Sequence, residues 1–310
     1  MRSGSSSPAR WAVLAAGASC FFNASWVESV DTECAATGVT NELVVNSSSD
    51  AAALRTLLYS FEGGLFDVTW HGRVAVDNTF TVFNGTSLNI TGVMAGSSSS
   101  SQLSSDESHA DDTTGITAVI EGFPFGNLFD VYFGGTLTLD NLVLEASDLI
   151  SPTHDGGAIH AYTFHDETSE TFEPLSPAAV NITDCTFRNY KVAPGYGGAI
   201  YCERCELNIF GSAFTYNNGS SQDDAPYRGG AIYSTHSAVH IGGGTTFTNV
   251  WASLGAAIYS NSSELRIEGG TSFTGNAAYD GGGAIFSEYS QLHIDGGVTF
   301  TSNSAEYNGG

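Results

Sequence analysis

Asp223 and Asp224 stand a few residues before Arg228 in "NNGSSQDDAPYRGG", and they are the sequence's best candidates for chemistry on a polymer. Two carboxylates beside a cation could cleave a glycosidic bond, one acid protonating the leaving oxygen while the other activates water. Elimination from a uronate would instead need a base, with Arg or Ca²⁺ to hold the enolate-like intermediate. Neither G-H-G nor R-x-K accompanies the pair, so a solvated acidic loop is the expected reading and catalysis the runner-up. His154/Asp155 and His165/Asp166 offer acid–base pairs in an insertion, but no nucleophile or oxyanion donor is placed beside them; Asp111/Asp112 fall in a low-complexity run. The lone C-x-x-C at Cys202 and Cys205, with Cys185 about one repeat earlier, supplies too few ligands for zinc. A disulfide or unpaired structural cysteines in an oxidising compartment is expected. Five cysteines leave one over, and Cys20 and Cys34 could close an N-terminal loop. No metal site and no cofactor is expected, since the G-G-x-G-x-D calcium spacing does not occur.

A repeat would have to position these residues. "GGAI" occurs at residues 156–159, 197–200, 229–232 and 282–285, with "GAAI" at 255–258 and a last "GG" at 309–310. Successive starts lie 41, 32, 26, 27 and 27 residues apart. Between them recur an alternating pair (Val180/Ile182, Leu207/Ile209, Val239/Ile241, Leu265/Ile267, Leu292/Ile294), then Phe187, Phe214, Phe247, Phe273 or Phe300. An asparagine follows: Asn189, Asn217, Asn249, Asn276 or Asn303. Apolar residues two apart in runs of about four or five residues are short strands, with no helical period. One unit cannot bury its apolar side alone, but coils stacked at the ~4.8 Å strand spacing bury it against one another. This predicts a β-solenoid in which Ile159, Ile200, Ile232, Ile258 and Ile285 form one internal stack, the phenylalanines another, and the asparagines a hydrogen-bonded ladder at a turn. The glycines supply backbone conformations closed to a Cβ, although Ala256 replaces the second glycine in one copy.

The motifs "GGAI" and "FxxN", the latter seen as "FTYN", "FTGN" and "FTSN", resemble repeats of the chlamydial polymorphic outer membrane proteins. More broadly the chain resembles secreted right-handed parallel β-helix proteins of the pectate-lyase-like superfamily. The clear likeness covers residues 156–310, and "FRN" and "FTN" run one residue short. The resemblance implies an all-β, right-handed parallel β-helix and, for the bacterial members, adhesion. It also implies the runner-up, because the superfamily hosts polysaccharide lyases, hydrolases and epimerases. The bacterial members carry a C-terminal membrane barrel that does not occur in this sequence, so autotransport is not expected. The final "NGG" starts another coil, and a longer solenoid is expected. Upstream, "LFDVTWHG" at 65–72 and "LFDVYFGG" at 128–135 mark less regular coils over residues 62–155, interrupted by a polar loop at 94–115 expected to be disordered. Residues 19–61 read as a cap region, with Asp50 as N-cap of the helix "AAALRTLLYSF" and Gly63 or Gly64 ending it. That helix should cover the first coil, whose open sheet edge would otherwise invite aggregation.

Strand alternation also fixes an exterior. With Leu292 and Ile294 inward, the outward column reads Asn181, Asn208, His240, Arg266, His293. The same rule sends Tyr201, Tyr233, Tyr259 and Phe286 outward as an aromatic stack that could bind a glycan or protein, or simply pack as a ladder. Nine basic against 33 acidic residues, a net charge of −24, disfavour nucleic acid and anionic membranes. Residues 1–18 read as a signal peptide, cut near Ala18, and no later run is long enough to span a bilayer. Sequons at Asn23, Asn46, Asn84, Asn89, Asn181, Asn218 and Asn261 fit a secretory route. Together these lead to the expectation of a secreted or cell-surface β-helix scaffold, non-enzymatic, that recognises glycans or cell-surface proteins.

Overall fold

The structure, a computed structural model, describes residues 10–15, 18–23, 40–60, 63–93, 118–123, 126–146, 155–164, 176–192, 195–219 and 227–309, the first two stretches as backbone alone. The coils build four sheets of eleven, eight, seven and five strands. Pairing between coils is parallel throughout, with like residue beside like. This is a parallel β-helix, right-handed as parallel crossovers require. The expected columns form. Ile159, Ile200, Ile232, Ile258 and Ile285 are neighbours in the seven-stranded sheet. The rings of Phe187, Phe214, Phe247, Phe273 and Phe300 stack at 4.8–4.9 Å, tilted by 9° or less. Offset stacking at this spacing adds to the area each ring buries. In the last coil Leu292, Ile294 and Phe300 are 41%, 42% and 48% exposed, so its inward face is uncovered.

Corners between strands turn on left-handed residues, single at most places and paired at Gly243 and Gly244. Arg204, His236, Ser262 and Tyr289, with φ between 48° and 52°, bend the chain from the seven-stranded into the eleven-stranded sheet. The serine after the last three bends forms a ladder absent from the sequence reading: Ser237, Ser263 and Ser290 Oγ accept the amides of Cys205, Ser237 and Ser263 at 3.1–3.2 Å.

The asparagine column needs correcting. Asn189 and Asn249 are themselves the left-handed residues of the turn after the phenylalanine, alongside Tyr216, Gly275 and Ser302. Asn217, Asn276 and Asn303 stand one position later and point inward, and these three make the ladder. Asn217 Oδ1 accepts the Tyr190 amide at 3.1 Å and its Nδ2 donates to Phe187 O at 2.9 Å. The one-residue deficit of "FRN" and "FTN" is therefore a change of column.

At the N-terminal end the helix Ser48–Ser60 crosses from the strand Thr40–Val45, which the sequence reading missed, to its parallel neighbour Gly64–Trp70. The N-cap is Ser47, not Asp50: Ser47 Oγ accepts the Asp50 amide at 3.3 Å, while the Asp50 carboxylate accepts the Asn46 amide and the Ser47 hydroxyl. Asp50 is thus the third helical residue, where a reciprocal side chain completes the cap. Ala51, Leu54 and Leu58 are buried from this helix, which covers the first coil as expected. Within the expected signal segment and just beyond it, Arg10–Ala15 and Ala18–Asn23 pair antiparallel, and the former also lies antiparallel to Thr40–Val45.

Candidate functional site

The outward face of the seven-stranded sheet carries two columns. Thr81, Asp130, His160, Tyr201, Tyr233, Tyr259 and Phe286 are in register in one. Tyr132, Tyr162, Glu203, Thr235, Asn261 and Glu288 form the other, two residues on. The predicted aromatic stack exists: Tyr201, Tyr233, Tyr259 and Phe286 follow one another at 5.2, 5.2 and 5.5 Å, within 8° of parallel. Its two middle rings are covered, while Tyr201 and Phe286 are part-exposed. Tyr259 is 0% and Tyr233 7% exposed, because the Tyr196 ring stacks on Tyr233 at 4.9 Å and the Arg228 guanidinium lies 5.0 Å over Tyr259. A cation held over a ring face is attracted to its quadrupole. Arg228, the basic member of the catalytic runner-up, is thereby engaged in covering the stack. Asp223 and Asp224 lie outside the described residues, as do His154, His165, Asp166, Asp111 and Asp112. Asp155 accepts the Tyr196 amide at 2.5 Å and so anchors this cover.

The phenols under the cover are held protonated. Tyr201 donates to Glu203 at 2.8 Å and Tyr259 donates to Glu288. Burial first, then the adjoining carboxylate, pushes both well above the usual tyrosine range. Burial does the same for Tyr190, and Tyr132 is pushed up to about 12 by burial with Asp130 adding. Above pH ~10 the unfolded chain sheds phenolic protons that the folded chain keeps. The unfolded state then binds fewer protons, so stability falls with rising pH. Urea midpoints should decline steadily above about pH 10; midpoints independent of pH up to 12 would mean that these phenols are open to water.

Toward the N-terminus the aromatic strip continues and opens, through residues the sequence reading did not single out. Phe83 and Tyr132 stack at 5.5 Å and 10°, Tyr132 and Phe164 at 6.5 Å and 12°, and Tyr162 meets both Tyr132 and Phe164 edge-on. Tyr59 of the helix meets Phe83 edge-on at 6.0 Å. His160 lies 5.0 Å from both Tyr162 and Tyr201, so the strip is continuous with the covered stack. The alternation in "LFDVYF" and "AIHAYTF" carried this signal, two residues beyond the column that was followed.

On the eleven-stranded sheet the column Asn181, Asn208, His240, Arg266, His293 is outward, as expected. Glu268 and Asp295, not foreseen, bind it together. His240 Nε2 lies 2.8 Å and Arg266 Nε 3.6 Å from Glu268, while Arg266 and His293 lie 3.3 and 2.7 Å from Asp295. Imidazoles beside carboxylates can relay protons, and Arg266 can hold an anion. Exposed pairs of this kind contribute little to stability.

Cys202 and Cys205 form a disulfide with Cα atoms 5.6 Å apart, which removes them as zinc ligands. Cys185 is free and buried, its thiol pushed up to about 12 mainly by burial. Among the sequons, Asn46 and Asn84 are exposed. Asn89 donates to Asp67 at 2.7 Å, Asn181 accepts from Asn208 at 3.0 Å, Asn218 accepts the Trp251 amide at 3.1 Å, and Asn261 accepts from Ser262 at 3.0 Å. The Asn23 side chain is not described. No helix among the described residues is long and apolar enough to cross a membrane, which says nothing of a β-barrel.

No curated protein matches the chain. Among solved structures it is similar to a PL6 family alginate lyase, AlyGC, at 14% identity and a TM-score of 0.33, over 87% of this chain and 39% of that one. The chain thus spans well under half of that enzyme's length, and so weak a likeness carries no chemistry across. The family model described as Chlamydia polymorphic membrane protein repeat matches residues 270–288, which hold both Phe273–Asn276 and Gly282–Ile285. The chain is a parallel β-helix by its own strand pairing, and its residues 270–288 are similar to the Chlamydia polymorphic membrane protein repeat.

Proposed function

We propose that the chain is a secreted or cell-surface recognition scaffold that performs no catalysis of its own. The observation behind this reading is the register of the outward columns. Equivalent side chains on the seven-stranded sheet follow one another from coil to coil without a slip. A rigid face of this kind offers many weak contacts at fixed spacing, which add through effective concentration. The Cys202–Cys205 disulfide supports an oxidising compartment, and the polymorphic membrane protein repeat supports display at a surface.

A carbohydrate-active enzyme is the second reading, favoured by the carboxylate–imidazole–guanidinium network around Glu268 and Asp295. Purified full chain, multimerised on beads, is expected to bind a glycan array or whole cells and to leave uronate polymers intact. Turnover lost on Glu268→Gln and Asp295→Asn, or on Asp223→Ala and Asp224→Ala, would select the enzyme. Absence of any binding would sink the recognition reading.

A further inference from the structure

We propose that Tyr279 and Tyr307 form an oxidative cross-linking site, where a peroxidase with hydrogen peroxide joins the two rings as dityrosine and ties adjacent coils together. The link serves the coil stack itself, whatever the outward columns recognise.

The strands Ala277–Gly281 and Ser304–Ala305 are parallel neighbours in the five-stranded sheet, with Ala277 beside Ser304 and Ala278 beside Ala305. Against the preceding coil the register slips: Ala252 pairs with Ala278, but Leu254 pairs with Gly281. Tyr279 and Asp280 thus share the place of Ser253 alone, and a bulge of this kind re-aims side chains. On the other side Gly281 pairs with Asn308, which sets Asp280 beside Tyr307 and makes the two tyrosines diagonal neighbours. Aromatic side chains can reach across that separation. These do: the ring centroids lie 5.4 Å apart at 79°, and the hydroxyls are hydrogen-bonded at 3.4 Å. Tyr279 and Tyr307 are 47% and 63% exposed, so an oxidant can reach both.

Each phenol gives up one electron and its phenolic proton, and the two radicals couple through ring carbons next to the carbons that bear the hydroxyls. The hydrogen on each coupled carbon then returns to its own oxygen. The net loss is two hydrogen atoms, which reduce one hydrogen peroxide to two waters. Because the reacting carbons flank the hydroxyls, hydroxyls in contact bring those carbons near each other. Exposed side chains change rotamer in picoseconds to nanoseconds, which supplies the remaining swing. The hydrogen bond to Tyr307, with the Glu306 and Asp280 charges adding, raises the Tyr279 phenol above its usual range, so it stays protonated until oxidised.

Other tyrosines lack this combination. Tyr201, Tyr233 and Tyr259 are stacked face to face within 8° of parallel, and coupling would require them to leave a packed column. Tyr59, Tyr216 and Tyr289 are exposed, but among the described residues no second tyrosine ring lies against them. Tyr132 and Tyr162 meet edge-on at 5.0 Å and are the internal rival, yet both are only part-exposed. The Cys202–Cys205 disulfide joins residues three apart and ties no coil to the next. A link between Tyr279 and Tyr307 spans 28 residues, about one coil.

The test treats the full chain, at high dilution, with a haem peroxidase and limiting hydrogen peroxide. The monomer should gain the blue emission of dityrosine and lose two hydrogen atoms in mass. Its digest should contain the peptides of Tyr279 and Tyr307 joined, and its urea midpoint should rise above that of the untreated chain. Tyr279→Phe and Tyr307→Phe should each abolish the intrachain link, whereas Tyr289→Phe, which removes a more exposed phenol, should leave it. Phenylalanine keeps each ring, and unchanged urea midpoints of the untreated variants will separate a lost link from a lost fold. Absence of dityrosine, covalent dimers in place of the intrachain link, joined peptides chiefly from Tyr132 and Tyr162, or a link that survives both substitutions would overturn the inference.

Discussion

Gly229→Ala is expected to destabilise the coils on both sides of it by more than about 3 kcal/mol, a loss in the range reserved for strain or disruption in a packed interior. Gly229 has φ of +68°, where a Cβ alone costs about 1–2 kcal/mol. Here the Cβ would also stand 2.6 Å from the carbonyl carbon of Ile232 and 3.0 Å from the Tyr233 nitrogen. Both are backbone atoms of a strand pinned to its neighbour, with Ile232 N–H donating to Ala257 O at 2.9 Å and Gly229 N–H to Leu254 O at 3.0 Å. Neither side of the clash can move without breaking a ladder. The same approach recurs at Gly197, Gly255 and Gly282, 2.7–2.8 Å from the carbonyl carbon of the isoleucine three residues on. "GGAI" therefore encodes a turn whose first residue tucks beneath its own isoleucine. The second position lacks the positive φ, so Ala256 meets no dihedral cost there. Gly244→Ala supplies the control: φ is +83° but nothing lies within 4 Å, so only the dihedral cost of about 1–2 kcal/mol should appear. Urea titrations of the two variants decide the matter, and equal midpoint shifts would show that the close approach is not felt.

Columns were legible in the sequence wherever a period of two could be counted from a fixed inward residue. Ile159 to Ile285, Phe187 to Phe300 and the outward His240, Arg266 and His293 all follow from that rule, because a parallel register makes equivalent residues neighbours. Alternation gives direction but not exposure. Tyr259 does point outward, yet Arg228 lies over it and Tyr196 covers its neighbour Tyr233, from either side of the longer interval between the glycines at 197 and 229. A residue that departs from the period cannot be located by the period. Glu268 and Asp295 were within reach of the same reasoning, since each stands two residues beyond an outward Arg266 or His293. Ser47 was hidden by a better-looking neighbour: Asp50 has the chemistry of an N-cap, and only the geometry shows that it serves as the reciprocal partner. Phe83 and Tyr132 come from coils without the GGAI motif, so no repeat drew attention to them; Phe164 follows the intact motif at 156–159 but stands beyond its strand, two residues past Tyr162.

Asn276→Ala and Asn249→Ala, equivalent in a motif alignment, should differ severalfold in cost. Asn276 is 0% exposed. Its Oδ1 accepts the Val250 amide at 3.0 Å, and its Nδ2 donates to Phe247 O at 3.1 Å and to Asn303 Oδ1 at 2.9 Å. Truncation leaves an amide and a carbonyl of the preceding coil buried without partners, at about 1–3 kcal/mol each. A total of about 2–5 kcal/mol is expected, felt by three successive coils because stability in a solenoid passes between nearest neighbours. Asn249 instead occupies the left-handed turn at φ 54° and is exposed. Alanine there forfeits only the asparagine's tolerance of that conformation, about 1 kcal/mol, and Asn249→Gly should stay within about 0.5 kcal/mol of the parent. Urea midpoints are the appropriate measure, since a repeat array need not unfold in one step. Equal losses at the two sites would mean that the ladder runs through both asparagines after all. A large loss confined to Asn276 would mean that coils lacking an inward asparagine, those of Tyr190 and Val250, depend on the next coil's Asn217 and Asn276 to satisfy their backbone.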